Sequence, residues 1–277
     1  SRVAPELERS HAQEDLNAAV WSAGRYLAEY DRPLLEPAEA LLLARFREAF
    51  SRRVLDVGCG AGRILGYLVA LGAQAHGIDI SPRMVEHCRR RFPGIDVRVG
   101  DLRALPATVQ GSFDVVLLSD NVLDVLDDLG RRAVLDDIRG LLAPRGLLVF
   151  SSHNLWTWEH PDAREASAAS RLRSRARLVR DRPLGWVVRA IVRLPRRRAN
   201  RRRLAPLQRR AADHAIVNDP AHDYGLLHYY IDQRGQRRQL AELGYEMVEV
   251  VDVDGTPVPP GADGRGSTLY YVASPVA

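Results

Sequence analysis

A glycine-rich turn carries the residues whose types and spacing point most directly to ligand binding. Gly58, Gly60 and Gly62 alternate with other residues directly after a short apolar run, which is the pattern of a buried strand that enters a tight turn. The third glycine of a dinucleotide-binding G-x-G-x-x-G pattern would fall at position 63, where the chain has arginine. Asp56, two residues before the first glycine, would repel a pyrophosphate at the start of the following helix. The turn therefore predicts a cradle for a ligand that carries positive charge.

Two further acidic residues follow predicted strands. Asp79 ends the second strand, 17 residues beyond Gly62, where an acidic side chain accepts hydrogen bonds from both hydroxyls of a ribose. Asp101 follows the third, shorter strand, and from its position it can cap a helix or a turn. Ribose binding is thus the predicted role of Asp79.

The pattern D-x-G-x-G-x-G at residues 56–62 resembles motif I of the class I S-adenosylmethionine (SAM)-dependent methyltransferases. F-D-x-V at residues 113–116 and L-x-P-x-G at residues 142–146 resemble the same family. The resemblance covers residues 50–154 and 229–274, and it is greatest to the small-molecule O- and N-methyltransferases of secondary and sugar metabolism. It implies SAM as the cofactor, because the ammonium and sulfonium of SAM suit the carboxylate of the motif. The alternative is that the glycines merely close a strand-to-helix turn.

The resemblance also implies which residues form the cofactor site. Met84 matches an apolar residue that packs on the adenine, and Asp101 matches an acidic residue that accepts a hydrogen bond from the adenine amine. The full set expected to bind the cofactor is Asp56, Gly58, Cys59, Gly60, Asp79, Ile80, Met84, Asp101, Leu102, Ser119 and Asn121.

Alternating apolar strands and helices predict an α/β fold around this site. A loop rich in glycine and proline joins the last two strands without a helix, so the final strand is expected to be antiparallel. The predicted fold is a Rossmann-like, seven-stranded, mostly parallel sheet with an antiparallel last strand, a helical N-terminal cap and a helical insertion after strand five. The strands are expected near residues 54–57, 75–80, 96–99, 113–119, 147–150, 245–253 and 268–273, and helices near 64–71, 83–91, 122–142 and 231–243.

Composition and periodicity divide the chain into four parts. They are a helical N-terminal cap at 1–50, a SAM-binding core at 51–154, an arginine-rich lid insertion at 155–228 and the rest of the core at 229–277. The insertion holds 17 arginines and 7 acidic residues, so it carries about +10 while the remainder of the chain carries about −5. In the resembled family a cap of this kind often closes over the cofactor, which makes Tyr26 and Tyr30 candidates for its edge unless they are core or surface aromatics.

Methyl transfer from a sulfonium needs a positioned nucleophile in a site screened from water, and no metal ion is predicted. A general base helps where the nucleophile is a hydroxyl or an ammonium. His153, at the end of the fifth strand, and His228 are the best-placed candidates, although each can equally be a structural hydrogen-bonding residue. Tyr229 and Tyr230 offer flat apolar surface and phenolic donors to the acceptor, unless one is core and the other surface. These four residues are the predicted catalytic set.

The arginine excess favours a small or peptide-sized acceptor that carries negative charge and is methylated on oxygen or nitrogen, as in natural-product biosynthesis. Because all 40 basic residues are arginine, codon bias explains much of the same excess. Two alternatives stay open: an RNA methyltransferase whose insertion binds phosphates, and a membrane-surface or non-catalytic SAM-binding protein. The sequence has neither a Pro-Cys nucleophile nor an N/D-P-P-Y sequence, which counts against two classes of nucleic-acid methyltransferase.

The two cysteines, with no C-x-x-C, indicate neither a disulfide framework nor a zinc site and suit a reducing cytoplasm. No apolar stretch reaches the 18 residues of a membrane span, and the first residues do not resemble a signal peptide. We therefore expect a cytoplasmic protein, and the oligomeric state is not indicated.

Overall fold

The computed structural model describes residues 3–22, 34–160, 162 and 183–276, whose strands join into one sheet. Five parallel strands form one part of this sheet, and the central ones are apolar runs that are buried on both faces. In sheet order they are β3 (Asp96–Val99), β2 (Gln74–Asp79), β1 (Arg53–Val57), β4 (Phe113–Leu118) and β5 (Leu142–Asn154). Beyond β5 lie β10 (Thr268–Pro275), antiparallel to β5, and β9 (Tyr245–Asp252), antiparallel to β10. These seven strands, including the antiparallel last one, are the predicted ones.

Helices cover both faces of this sheet and divide the core into two layers. One layer packs against α2 (Pro37–Arg45), α3 (Arg47–Phe50), α4 (Arg63–Ala70) and α5 (Pro82–Arg91). The other layer packs against α6 (Leu105–Thr108), α7 (Asp128–Leu141) and α10 (Gln233–Glu242). Because both faces are covered, the ligand-accessible part of the sheet is the edge at which the parallel strands end. None of the helices in the described ranges is long and apolar enough to cross a membrane.

Three additional strands correct the prediction of seven strands and of a purely helical insertion. They are β6 (Arg209–Arg210), β7 (His214–Val217) and β8 (His228–Ile231), which bring the described sheet to ten strands. β8 runs parallel to the end of β5 and antiparallel to β7. Every residue of β8 is buried, because Tyr229 and Ile231 pack against Leu204 on one face and Tyr230 packs against Leu155 on the other. The predicted helix at 231–243 accordingly begins later, at Gln233, with Asp232 as its N-cap.

The remaining part of the predicted lid contains two described helices, α8 (Leu155–Glu159) and α9 (Pro183–Leu204). Leu204, at the end of α9, is fully buried against Ile216, Leu227 and Tyr229, so this end of the insertion packs on the added strands. Residues 161 and 163–182 of the predicted lid lie outside the described residues. The lid role of the insertion is still a prediction.

The N-terminal cap begins with α1 (Val3–Ser22), which packs beside the ligand-accessible edge of the sheet. The Asn17 amide donates to the carbonyl oxygens of Val125 (2.7 Å) and Leu227 (2.8 Å), so one side chain joins α1 to two segments at that edge. Tyr26 and Tyr30 lie outside the described residues.

Candidate active site

A cleft of about 330 Å³ lies beyond the carboxyl ends of β1, β2 and β4, where an open α/β sheet binds its ligands. Glu14, Ala18 and Trp21 of α1 form part of its wall. The cleft brings together every residue predicted to bind the cofactor: Asp56, Gly58, Cys59, Gly60, Asp79, Ile80, Met84, Asp101, Leu102, Ser119 and Asn121. His153 and His228 line the same cleft.

The glycine turn closes tightly because its backbone binds the neighbouring strand. The amides of Gly58 and Cys59 both donate to the carbonyl oxygen of Ile78, at 2.7 and 3.0 Å. Gly58 has φ +73°, and a Cβ there would lie 2.5 Å from a methyl carbon of Val122, so no other residue fits. Gly60, with φ +53°, faces open space instead, which leaves its backbone accessible to a ligand.

Asp79 is fixed by the turn that it faces. One carboxylate oxygen accepts from the amide of Gly60 (2.9 Å) and the other from the amide of Ser81 (2.8 Å). Each oxygen of a carboxylate has two lone pairs, so both retain one for a ligand hydroxyl. Burial raises the pKa of Asp79 against the effect of these two hydrogen bonds. Ser81 directly precedes α5 as predicted, but its hydroxyl makes no capping hydrogen bond and is buried.

Asp56 is 2% exposed, and its Oδ2 has no hydrogen-bond partner among the described residues. Burial is the main cause that raises the pKa of this carboxyl to about 8; the charge of Arg63 opposes the rise, and the neighbouring acids Glu39, Asp79 and Asp120 add to it. A cation bound beside Asp56 would favour its charged form.

Arg63 occupies the position where a dinucleotide fingerprint has glycine, and it forms ion pairs with Glu39 and with Asp120 (2.9 Å). Burial raises the pKa of Glu39, but the hydrogen bond and charge of Arg63 outweigh it and lower that pKa overall. Sequence reasoning missed Glu39 because it lies on α2, away from the motif, where it forms part of the capping box at the start of that helix.

Asp101 caps the short 3₁₀ helix at residues 102–104, accepting from the Arg103 amide at 2.9 Å. The Arg103 guanidinium lies 2.7 Å from the same carboxylate and also contacts Asp15 of α1 at 2.9 Å. Although burial opposes it, Arg103 holds the pKa of Asp101 below its usual value. The capping role is therefore present, and adenine recognition by Asp101 is still a prediction.

At the other end of the cleft, His153 is held by Asp124. The Nδ1 of His153 lies 2.6 Å from Asp124 Oδ2, which also accepts from the His153 backbone amide at 2.7 Å. The Nε2 of His153 faces the side-chain amide of Asn121 at 3.2 Å. Both contacts suit the tautomer in which Nδ1–H donates to the carboxylate and Nε2 keeps its lone pair.

Asp124 is fully buried and pairs with the fully buried guanidinium of Arg131 at 2.5 Å. Burial raises the pKa of Asp124, but Arg131 and His153 outweigh it and hold that pKa low. Arg131 also donates to Gln236 (2.7 Å) and Gln239 (3.1 Å) of α10. Sequence reasoning did not find this network, since its members are far apart in the chain.

His228 forms a second imidazole–carboxylate pair: its Nδ1 lies 3.0 Å from Asp219 Oδ2. Burial lowers the pKa of His228, but the charge and hydrogen bond of Asp219 raise it above its ordinary value overall. The His153 ring lies 5.2 Å from that of His228 and 4.6 Å from that of Tyr230. His222 also lines the cleft, and burial and the nearby His228 lower its pKa to about 4.

The two tyrosines are not where they were predicted. Neither is among the residues that line the cleft, so the expectation that both face the acceptor is corrected. Successive residues of β8 point to opposite faces, so Tyr229 packs into the core and donates to Asp128 at 2.7 Å. Tyr230 lies on the histidine side of β8, but its hydroxyl donates to Asp219 at 2.7 Å.

Comparisons with known proteins agree with this arrangement. A sequence model of the family described as "Methyltransferase domain" matches residues 54–146. The chain carries a class I SAM-dependent methyltransferase domain. Over 106 residues, this chain is 37% identical to the ubiquinone biosynthesis O-methyltransferase of Xanthomonas campestris pv. campestris (strain B100). These residues are 37% of this chain and 43% of that protein. The chain thus matches less than half the length of this curated relative.

Solved structures share the fold of the methyltransferase domain over nearly the whole chain. DhpI, in a complex described as DhpI-SAM-HEP, is 18% identical with a TM-score of 0.57, covering 96% of this chain and 99% of that one. The glycopeptide N-methyltransferase MtfA, complexed with SAM, is 15% identical with a TM-score of 0.54, covering 86% and 93%. A TehB-like SAM-dependent methyltransferase from Corynebacterium glutamicum ATCC 13032 is 18% identical with a TM-score of 0.52, covering 91% and 93%.

Proposed function

We propose that this protein transfers the methyl group of SAM to an oxygen or nitrogen of a small or peptide-sized acceptor. The observation that carries the proposal is the two-ended cleft. One end is an acidic glycine cradle that suits a cationic cofactor, and the other holds His153, an imidazole fixed by Asp124. Holding a nucleophile and a methyl donor together in one screened site supplies much of the rate of such a displacement.

The residues of the cradle fit SAM. Three buried polar atoms in the cleft have no partner among the described residues: Asp56 Oδ2, Ser81 Oγ and Asn121 Oδ1. Leaving such atoms unpaired is costly, so a polar ligand that binds them gains free energy. In this proposal Asp56 faces the positive groups of SAM, Asp79 binds the ribose, and Met84 and Asp101 bind the adenine. SAM, when bound, supplies the electrophilic methyl group.

His153 is the residue that we assign to the acceptor. Its Nδ1–H is committed to Asp124, so Nε2 keeps a lone pair on the β5 side of the cleft, where it faces the Asn121 amide at 3.2 Å. A lone pair so placed accepts the acceptor's proton, a role that typically contributes about 10²–10⁴ to a rate. His228, held by Asp219, lines the same end and completes the acceptor's surroundings. Tyr229 and Tyr230 act indirectly, through the packing and hydrogen bonds already described.

The acceptor's negative charge is not part of this proposal. The arginines that line the cleft, Arg63 and Arg103, are both ion-paired with acids. The described arginines of α9 do not line it, and Arg197 and Arg201 instead lie over the Tyr224 ring. The relatives named for a ubiquinone precursor pathway and for glycopeptides support a small or natural-product acceptor over RNA.

The test is binding followed by transfer. Calorimetry on the full chain should show binding of SAM in preference to NAD, and preferential binding of NAD would refute the proposal. A cell extract incubated with the protein and methyl-labelled SAM should then carry label in its small-molecule fraction. Label in the RNA fraction would establish the RNA alternative, and binding without any transfer would establish the non-catalytic one.

A further inference from the structure

Three residues at the acceptor end of the cleft place metal-binding atoms together. One nitrogen from each of His153 and His228 and one carboxylate oxygen of Asp219 all lie within 4.8 Å of one another. They come from separate elements: His153 ends β5, Asp219 follows β7, and His228 begins β8. The added strands therefore assemble the cluster, which no local motif contains.

The donor set has a recognisable chemistry. Two imidazoles and one carboxylate are a set used by catalytic zinc and by non-haem iron sites, and three protein ligands leave positions open for a substrate. The orientation of His153 fits as well, because metal-binding histidines almost always donate their other N–H to a carboxylate or carbonyl. Asp124 accepts that hydrogen bond at 2.6 Å. Asp219 is likewise oriented, since the Tyr230 hydroxyl donates to it at 2.7 Å.

An ion would replace two contacts among these residues. His153 Nε2 faces only the Asn121 amide nitrogen at 3.2 Å, and the Oδ1 of the same amide is buried without a partner among the described residues. Turning that amide aside frees Nε2. The contact of His228 with Asp219, at 3.0 Å, brings two donor atoms to about the separation that neighbouring ligands have on one ion.

We propose that His153, Asp219 and His228 bind one divalent transition-metal ion at the acceptor end of the cleft. The consequence for the reaction rests on the proposed methyl transfer, whereas the ion site itself does not. An acceptor hydroxyl that binds an open position of the ion loses its proton to solvent more readily. Its oxygen then forms the new bond to the methyl carbon as the sulfur–carbon bond breaks, and S-adenosylhomocysteine leaves neutral. In this arrangement His153 acts on the acceptor through the ion.

Cobalt(II) alone is the probe, because imidazole-bound cobalt has visible absorption bands. The full chain, freed of metal by a chelator, is titrated with Co²⁺, and one tight equivalent with these bands is expected. His228→Gln and Asp219→Asn, which remove ligands, should weaken binding by more than 100-fold, and Asp124→Asn, which acts through His153, by about 10–100-fold. The matched control is His214→Gln. His214 is the first residue of β7, and its Nδ1 lies 2.8 Å from Asp213 Oδ1, but it does not line the cleft. The affinity of this variant for Co²⁺ should therefore not change.

Far-UV circular dichroism and SAM affinity are measured on every variant, because an unchanged spectrum shows that the variant is folded. Absence of tight Co²⁺ binding in the native chain, or equal binding in native and His228→Gln protein, would overturn the metal site. If SAM still binds and its methyl group is still transferred in that case, the methyltransferase proposal stands with His153 as the direct proton acceptor. If Co²⁺ binds as expected but SAM does not, the methyltransferase proposal fails and the metal site stands.

Discussion

The two ends of the cleft are built in different ways. The cradle comes from one continuous strand–turn–helix segment, in which Asp56 precedes the glycines by two residues. The acceptor end comes from β5, the loop after β7 and the start of β8, so His153 and His228 are 75 positions apart in the chain. The family match spans residues 54–146 and stops before the first of these histidines. The cradle residues thus lie in one continuous segment of the chain, whereas the residues of the acceptor end are brought together only by the tertiary structure.

This difference explains why the sequence predicts the cofactor SAM but does not predict the acceptor. The turn packs tightly against Val122 and Ile78, so few residues other than glycine fit there and the glycine pattern is a strong local signal. The acceptor end depends on short strands that an insertion adds to the sheet edge, and such additions differ between proteins that share the core. If the two ends are separable, a substitution at one end should leave the function of the other unchanged.

His153→Ala should lower turnover by about 10²–10⁴-fold, because it removes the acceptor-side imidazole. SAM affinity should change far less, since His153 contacts Asn121 of the predicted cofactor set but neither Gly60 nor Ser81, whose amides hold Asp79. Single-turnover kinetics and calorimetry measure the two quantities separately. His160→Ala is the control, because His160 is exposed outside the cleft. A parallel loss of SAM affinity would show that the two ends are one functional unit.

Asp79→Ala should weaken SAM binding by about 1.5–3 kcal/mol, roughly 10–150-fold, since hydrogen bonds to a charged group are lost. Turnover at saturating SAM should largely persist. Calorimetry decides, with Glu86→Ala as the control, because Glu86 lies exposed on the neighbouring helix α5. Unchanged affinity in Asp79→Ala would remove the ribose assignment.

The SAM affinity should rise with pH and level off above about pH 8. Asp56 has a pKa of about 8 in the free protein, and a bound cation lowers it, so binding releases a proton below that pH. The slope cannot exceed tenfold per pH unit for one group. Calorimetry between pH 6 and 9, on native protein and Asp56→Asn, isolates the contribution of Asp56. The prediction fails if the two proteins have the same pH profile.

Tyr229→Phe should destabilise the fold by about 1 kcal/mol, the typical net value of one hydrogen bond, without lowering turnover. Its hydroxyl donates to Asp128 in the core and lies outside the cleft. Urea unfolding measures the change in the free energy of unfolding, and kinetics measure turnover. Lost turnover with unchanged stability would return Tyr229 to the acceptor site, as the sequence suggested.

Much of the fold could be predicted because apolar runs and turn residues are local signals. All seven core strands, the antiparallel end and the crowding of Asp56, Asp79 and Asp101 at one edge followed from them. The added strands could not be foreseen, because β6 and β7 are two and four residues long and gain stability only from pairing. Asp124 and Asp219 were missed for the related reason that an isolated aspartate has no pattern. Asp124 is paired with His153, 29 positions away, and Asp219 is paired with His228, 9 positions away.

The buried pair of Arg131 and Asp124 limits how this protein can evolve. A guanidinium stays charged in a protein, so losing Asp124 alone would leave an uncompensated cation in the core, at a cost of about 3–5 kcal/mol. A lineage that changes the histidine end must therefore alter Arg131 and its glutamine partners on α10 as well. Substitutions at these positions should be epistatic, each deleterious alone and tolerated only together. New acceptors should therefore arise through the surrounding loops more readily than through the imidazole–carboxylate centre.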